Sequence, residues 1–105
     1  MTHNVQIVEA EGILDGNSAI QVRRRISECL KQKADIILLD FKAVTFIDSS
    51  GLGALVAALK TVRSANAQLY ICSICDKVKI LFELTSMNRV FQVFPDRATF
   101  ERDVL

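Results

Sequence analysis

A run of apolar residues near the middle of the chain constrains the fold most. Residues 36–39 read Ile-Ile-Leu-Leu, without any alternation of apolar and polar side chains, and the run ends at Asp40. A strand that is buried on both faces has this pattern, and such strands are typical of parallel sheets covered by helices. The run therefore predicts a central strand of an α/β domain.

Strand-like and helix-like patterns alternate along the rest of the chain. Apolar runs predict strands over residues 5–11, 36–40, 68–74 and 90–94. Apolar residues at three- and four-residue spacing, preceded by capping residues, predict helices over about 17–32, 51–65, 76–88 and 96–104. A turn over residues 12–16 and a loop through Lys42 and Thr45 connect them. This β-α order predicts a mostly parallel sheet with right-handed crossovers.

Length, charge and hydropathy limit the classes of function. The 105 residues predict a single domain spanning 1–105, and the net charge of +1 gives no long-range attraction to nucleic acid or membrane. The one basic run, residues 23–25, falls on a predicted helix without neighbouring aromatic residues. No apolar run reaches the roughly 18 residues of a membrane span. The first residues lack the pattern of a signal peptide, so we expect a cytoplasmic protein.

The cysteines indicate neither a disulfide framework nor a metal site. Their number, three, is odd. Cys72 and Cys75 form a C-x-x-C pair, but they fall in a strand-like run and not at a helix start, so their side chains are expected on opposite faces. No second pair or internal histidine completes a zinc site. We predict buried or half-buried structural thiols for this pair and for Cys29.

A polar hinge follows the central strand and leads into a helix. Asp48, Ser49 and Ser50 can each cap the first N–H groups of that helix, where the helix dipole also favours an anion. Capping alone explains the three residues. The alternative is that one serine is exposed and phosphorylated, with Gly51 and Gly53 leaving room for another protein's active site.

Nothing in the sequence predicts catalysis or a cofactor. A serine nucleophile needs a base, and His3, in the N-terminal tail, is the only histidine. The chain has no P-loop, no dinucleotide-binding glycine motif and no G-x-S-x-G nucleophile elbow. Asp15 follows the first predicted strand, Asp40 ends the second, and Asp48 lies at the start of the following helix, so the three carboxylates are expected to share one end of the sheet.

Three segments together resemble the STAS domain of bacterial anti-sigma-factor antagonists. They are Gly-x-Leu-Asp at 12–15, Ile-Leu-Leu-Asp at 37–40, and Val-x-Phe-Ile-Asp-Ser-Ser-Gly-Leu-Gly-x-Leu at 44–55. Their order and spacing match the family over most of the chain, and the Asp-Ser-Ser-Gly block is the most specific part. The resemblance favours phosphorylation over simple capping at the hinge.

The resemblance implies control by partner switching. The unphosphorylated antagonist would bind a GHKL-type serine kinase that is also an anti-sigma factor, and so free the sigma factor. The kinase would then phosphorylate the second serine, Ser50, with Ser49 as the alternative, and a PP2C-type phosphatase would reset the switch. Ser49 would hydrogen-bond at the helix start, Asp48 would position the hinge and Asp15 would help to dock the kinase. The implied partner-binding residues are Asp15, Asp48, Ser49, Gly51, Leu52 and Gly53.

The chain departs from the family at its start. Relatives usually have two strands before the helix that follows the Gly-x-Leu-Asp motif, whereas only eleven residues precede Gly12 here. We therefore expect four or five strands flanked by about four helices, with the first edge strand either missing or very short. An uncovered edge would favour a homodimer. The alternative function is that of a STAS regulatory subunit in a transporter, lipid-trafficking or metabolic signalling complex.

Overall fold

The computed structural model describes residues 3–105, and in it four parallel strands form one sheet in the order β1-β2-β3-β4. The strands are β1 (Val5–Leu14), β2 (Ile36–Ile47), β3 (Gln68–Cys72) and β4 (Val93–Phe94). The helices are α1 (Gly16–Lys31), α2 (Ser49–Ser64), α3 (Asp76–Leu84), α4 (Met87–Val90) and α5 (Arg97–Val104). The predicted parallel α/β sheet is therefore confirmed in its four-stranded form.

The apolar run of β2 is the centre of the molecule. β2 pairs with β1 on one side and β3 on the other, and Ile37, Leu38 and Leu39 are fully buried. Because alternate residues of a strand point to opposite faces, Ile37 and Leu39 join one apolar cluster and Leu38 joins another. The continuous run is required because both faces of this strand are covered.

The two faces of the sheet are covered unequally. Buried residues of α1, α2 and α3 form the larger cluster with one face. On the opposite face, α5 is the helix of the described chain that contributes to the smaller cluster, where Tyr70, Phe94 and Phe100 contact one another edge to face or tilted. The second face is therefore covered mainly over β3 and β4, and less over β1.

The first two strands, β1 and β2, are longer than predicted. Residues 42–47 form the second half of β2, not a loop, because β1 continues beside them as far as the pair Leu14 and Ile47. The register shifts between Glu9 and Glu11 and again between Gly12 and Ile13, where Gly12 has φ of 71°. A glycine tolerates this left-handed conformation, so the strand continues through the predicted turn.

Element boundaries in the last third also differ from the prediction. The helix predicted over 76–88 ends at Leu84, because Ser86 adopts φ of 59° and a separate turn, α4, follows. The strand predicted over 90–94 is shortened to β4 because Val90 closes α4. Within the described residues, no strand precedes β1, which is an edge strand of the sheet.

The cysteines occupy the predicted environments with one correction. All three are free thiols; Cys72 is buried, whereas Cys29 and Cys75 are half-buried. Burial raises the pKa of the Cys72 thiol. Cys75 lies at the N-cap position of α3, so the expectation that the C-x-x-C pair avoids a helix start was wrong. β3 ends at Cys72, which leaves the second thiol in the following connection.

Candidate functional site

The site lies where α1 and α2 begin, at the carboxyl ends of β1 and β2. Asp15 follows β1 and caps α1, and Asp48 follows β2 and caps α2. The two strand ends are joined by the hydrogen bond that the Asp48 N–H donates to the Leu14 carbonyl, with a distance of 3.1 Å. Two helix N-termini, each with its partial positive charge, are thus fixed side by side.

Asp15 caps α1 in a reciprocal arrangement with Ser18. Its Oδ1 accepts hydrogen bonds from the backbone N–H groups of Asn17 at 3.0 Å and Ser18 at 2.9 Å, and its own N–H donates to Ser18 Oγ at 2.9 Å. Hydrogen bonds from the Ser18 backbone, and then from its hydroxyl, lower the pKa of Asp15. Asn17 or Ser18 was predicted to cap this helix; the cap is Asp15, and the helix begins at Gly16.

Asp48 is the cap of α2. Its Oδ1 accepts the Gly51 N–H at 2.8 Å. Ser49 and Ser50 are the first two residues of the helix, and both are exposed. Among residues 3–105 neither hydroxyl has a hydrogen-bond partner, so the hydrogen bond implied for Ser49 at the helix start is not formed. Capping therefore accounts for Asp48, while both serine hydroxyls are exposed and have no partner in the described residues.

The two glycines of the hinge have different functions. Gly51 is buried, and a Cβ added there would lie 2.2 Å from the Leu14 carbonyl oxygen and 3.0 Å from Ile47 Cγ2. Its missing side chain lets α2 pack on β1, so the prediction that it opens space around a hydroxyl was wrong. Gly53 is exposed and a Cβ there would have nothing within 4 Å, which agrees with the predicted open approach.

Gly16, which the sequence predicted to lie in a turn, is also part of the site. It is the first residue of α1 and is exposed, and a Cβ built on it would lie 3.6 Å from the Ser50 Cβ. Ser50 therefore lies against the start of α1 as well as in the first turn of α2. The signal in the sequence was the order Asp-Gly-Asn, in which an aspartate cap is followed by the smallest residue.

Asp40 does not belong to this site. β2 continues seven residues beyond it, so the expectation that Asp15, Asp40 and Asp48 share one end was wrong for Asp40. It is the buried charged residue of the core, 8% exposed, and its Oδ2 accepts from Arg97 Nη2 at 2.7 Å. Hydrogen bonds to Asp40 and then to Glu9 raise the pKa of Arg97. This cluster attaches α5 to β1 and β2.

The described residues contain neither a cation site nor a membrane span. No group of three or more histidine, cysteine, aspartate or glutamate side chains in residues 3–105 is arranged to hold a metal ion. None of the helices in that part of the chain is long and apolar enough to cross a bilayer.

Comparison with known proteins identifies the family. Residues 1–100 match the family model of the STAS domain. The chain belongs to the STAS domain family. An anti-sigma-B factor antagonist from Listeria monocytogenes serovar 1/2a is 26% identical over 92 residues, covering 88% of this chain and 80% of the relative.

Solved structures share the fold. The anti-sigma factor antagonist SpoIIAA in its unphosphorylated form has a TM-score of 0.75 at 19% identity, over 97% of this chain and 90% of that chain. The STAS domain of a SulP transporter from Vibrio cholerae has the same TM-score, 0.75, at 16% identity, over 92% of this chain and 77% of that chain. The fold alone therefore does not distinguish an antagonist from a transporter domain. Only the residues of the site can distinguish them.

Proposed function

We propose that this STAS domain is an anti-sigma factor antagonist that acts by partner switching, with Ser50 as its phosphoacceptor. The observation that carries the proposal is the exposed Ser50 hydroxyl, which lacks a hydrogen-bond partner in residues 3–105 and lies against Gly16. A serine used only to cap the helix would have its oxygen engaged by a backbone N–H. The relative from Listeria, itself an anti-sigma-B factor antagonist, supports the same role.

The chain supplies the nucleophile and its partner supplies the rest of the chemistry. Ser50 Oγ attacks the γ-phosphorus of ATP held by a GHKL-type serine kinase, the bond from that phosphorus to ADP breaks, and the hydroxyl proton passes to a base of the kinase. Asp15 and Asp48 each accept backbone N–H groups at Oδ1, and we assign them to capping the two helices and not to the transfer. In this proposal the chain is the substrate of the kinase, not an enzyme, and it uses no cofactor of its own.

The position of Ser50 explains why phosphorylation would leave this domain folded. The phosphate adds about −1.5 to −2 charges at the second residue of α2, close to the start of α1. Both helix N-termini present partial positive charge there. The rigid Leu14 contact beneath Gly51 fixes the hinge in either state.

Phosphorylation would instead act on the complex. Unphosphorylated Ser50 is a neutral group in the interface with the kinase, which is also the anti-sigma factor, and the sigma factor is free. After transfer, phosphoserine and ADP are both anionic in one desolvated interface, which favours dissociation. A PP2C-type phosphatase would remove the phosphate and restore binding. For this scheme we propose a cytoplasmic location of the chain.

Phosphopeptide mass spectrometry of the protein purified from its native cell tests the proposal. Phosphate is expected on Ser50, absent in Ser50→Ala and retained in Ser49→Ala. Phosphate confined to Ser49 would keep the mechanism and correct the acceptor. Its absence under several growth conditions would instead favour a STAS subunit of a transporter, lipid-trafficking or metabolic complex.

A further inference from the structure

A cavity of about 560 Å³ lies at the far end of α2 from the phosphoacceptor. It is lined by the end of α2, the start of β3 and residues 88–92, which run from α4 towards β4. Arg63, in the last turn of α2, is about 20 Å along the helix axis from Ser50. The cavity is therefore separate from the hinge, and its volume is within the range that holds small ligands.

Incomplete strand pairing leaves a backbone donor open in this cavity. β4 pairs with β3 only at Ile71 and Cys72, so the earlier residues of β3 have no strand on that side. The Ile71 N–H donates to the Gln92 carbonyl at 3.1 Å. Because the N–H groups of alternate strand residues point to the same side, the Leu69 N–H points the same way. Leu69 lines the cavity, and its N–H has no hydrogen-bond partner among residues 3–105.

The lining of the cavity is positively charged. Arg63 and Arg89 both contribute to it, and none of its residues is acidic. Neither arginine forms an ion pair with a residue of the described chain. Two carboxylates belong to neighbouring segments: Asp35, whose Oδ2 accepts the Asn4 N–H, and Glu83, which is exposed on α3. Neither carboxylate lines the cavity, so both guanidinium groups are available to an anionic ligand.

The end of α2 does not account for both charges. A helix C-terminus carries partial negative charge, which Arg63 complements from the last turn. The carbonyls of residues 61–63 already accept N–H groups of residues 65–67. Arg89 lies on α4, a single turn with little dipole of its own. The helix dipole thus explains one arginine and leaves the second without a structural function.

The rest of the lining combines apolar and neutral polar groups. Leu59, Leu69 and Phe91 are its buried apolar residues. Three exposed side-chain amides line it as well, those of Gln68, Asn88 and Gln92. An apolar surface beside two guanidinium groups is complementary to a small molecule with an apolar body and an anionic group.

We propose that this cavity binds a small organic anion, whose carboxylate or phosphate group pairs with Arg63 and Arg89. A planar guanidinium group donates two parallel hydrogen bonds to either kind of oxyanion. The Leu69 N–H supplies a further donor, and the apolar body of the ligand packs on Leu59 and Phe91. This inference goes beyond the proposed function, because none of these residues takes part in phosphate transfer to Ser50.

The test is an NMR titration of the ¹⁵N-labelled full chain, in a phosphate-free buffer, with four probes: benzoate, phenyl phosphate, inorganic phosphate and benzylamine. Benzoate or phenyl phosphate is expected to shift the amide signals of Leu69, Phe91 and Gln92 saturably. For ligands of this size the expected Kd is about 10 mM or tighter. Inorganic phosphate lacks the apolar body and benzylamine has the opposite charge, so both should bind at least about tenfold more weakly.

Two substitutions test the arginines. Arg63→Met and Arg89→Met should each weaken binding of the better probe about tenfold, as loss of a charged hydrogen bond does. Arg23→Met is the matched control, because Arg23 is exposed on α1, lies outside the cavity lining and forms no ion pair in residues 3–105. It should stay within about twofold of wild type. Thermal unfolding shows whether the variants fold, and the comparison of benzoate with benzylamine tests charge selectivity on the wild type alone.

Each outcome decides the proposal. Binding of benzoate alone supports a carboxylate ligand, and binding of phenyl phosphate alone supports a phosphate ester. The proposal is overturned if no probe shifts the cavity amides saturably, if benzylamine binds as tightly as benzoate, or if inorganic phosphate binds as tightly as phenyl phosphate. Equal weakening by Arg23→Met would also overturn it. None of these results bears on phosphorylation of Ser50, so the proposed function is tested separately.

Discussion

The backbone of Gly51 packs directly on the carbonyl of Leu14, and a Cβ at residue 51 would lie 2.2 Å from that oxygen. The same carbonyl accepts the Asp48 N–H, so it holds the cap and the third residue of α2 at once. The start of this helix is therefore fixed by backbone atoms of another element, which cannot move as a flexible side chain can. The position of Ser50 depends on this contact.

Gly51→Ala should destabilise the fold and displace the hinge. Helix α2 must move away from Leu14 to accommodate the methyl group, and overpacking of this kind costs about 2 kcal/mol. Gly53→Ala is the matched control, since a Cβ there meets nothing within 4 Å, and it should raise the free energy of unfolding by roughly 0.5–1 kcal/mol. Urea denaturation measures both values. Equal effects of the two substitutions would contradict the packing argument.

The capping of α1 should make stability depend on pH in the acidic range. Hydrogen bonds from Ser18 lower the pKa of Asp15 in the folded chain, so the cap stabilises the fold fully above the pKa of the unfolded chain, about 3.9. That contribution disappears as pH falls through the lower, folded pKa. Asp15→Asn retains a capping side chain that does not titrate.

The free energy of unfolding of the wild type and of Asp15→Asn should therefore converge as pH falls from 6 to about 2.5. Denaturant titrations at a series of pH values measure the difference. Asp96→Asn should behave in the same way at α5, because the Thr99 backbone N–H lowers the pKa of Asp96. A difference that stays constant with pH would show that neither carboxylate titrates as the hydrogen bonds require.

The two ion pairs of Arg97, with Asp40 and with Glu9, should contribute unequally to the free energy of unfolding. Asp40 is buried, and losing Arg97 leaves its Oδ2 without a donor, whereas Glu9 is exposed to water. Arg97→Met should lower the free energy of unfolding by about 1–2 kcal/mol, and Glu9→Gln by about 0.5 kcal/mol or less. Hydrogen exchange should become faster in α5 for the first variant. If Glu9→Gln costs as much as Arg97→Met, burial of Asp40 is not the deciding factor.

Much of the fold could be predicted from local sequence patterns. The errors of that prediction have a common cause. The apolar run of β2 identified the central strand, and the Asp-Ser-Ser-Gly block located the start of α2. The end of β2 was missed because residues 42–46 gain their strand structure from pairing with β1, a contact distant in sequence. Propensity did not exclude a strand there, since Val44, Thr45 and Phe46 all favour strands, but Asp40 and Lys42 interrupt the apolar run.

In the site too, local features could be predicted from the sequence, whereas contacts between distant residues could not. Capping residues could be recognised because they act within three positions of themselves. The close approach of Gly51 to Leu14, the contact between Gly16 and Ser50, and the pairing of Ile13 with Phe46 all join residues more than thirty positions apart. Local patterns in a single sequence do not indicate which of these distant residues are in contact. Asp40 was misplaced for that reason, since β2 continues beyond it to Ile47 by pairing with β1, more than thirty positions earlier.

A negative charge at Ser50 should be tolerated by the fold and rejected by the partner. Ser50→Asp introduces a carboxylate into the first turn of α2, where the helix dipole should stabilise it by about 0.3–1 kcal/mol relative to the neutral variant Ser50→Asn. Ser50→Lys should be destabilised by a similar amount. Urea denaturation at low and high salt measures these differences, which should shrink as salt screens them.

Binding should follow the opposite order for the charged and neutral variants. In isothermal titration with the GHKL-type kinase and ADP, Ser50→Asn should retain measurable affinity, whereas Ser50→Asp should lose at least about tenfold because its charge enters a desolvated interface that already holds ADP. If Ser50→Asp both unfolds the domain and abolishes binding, the kinase is released because this domain loses its structure. Stability retained together with lost binding would place the switch in the interface itself.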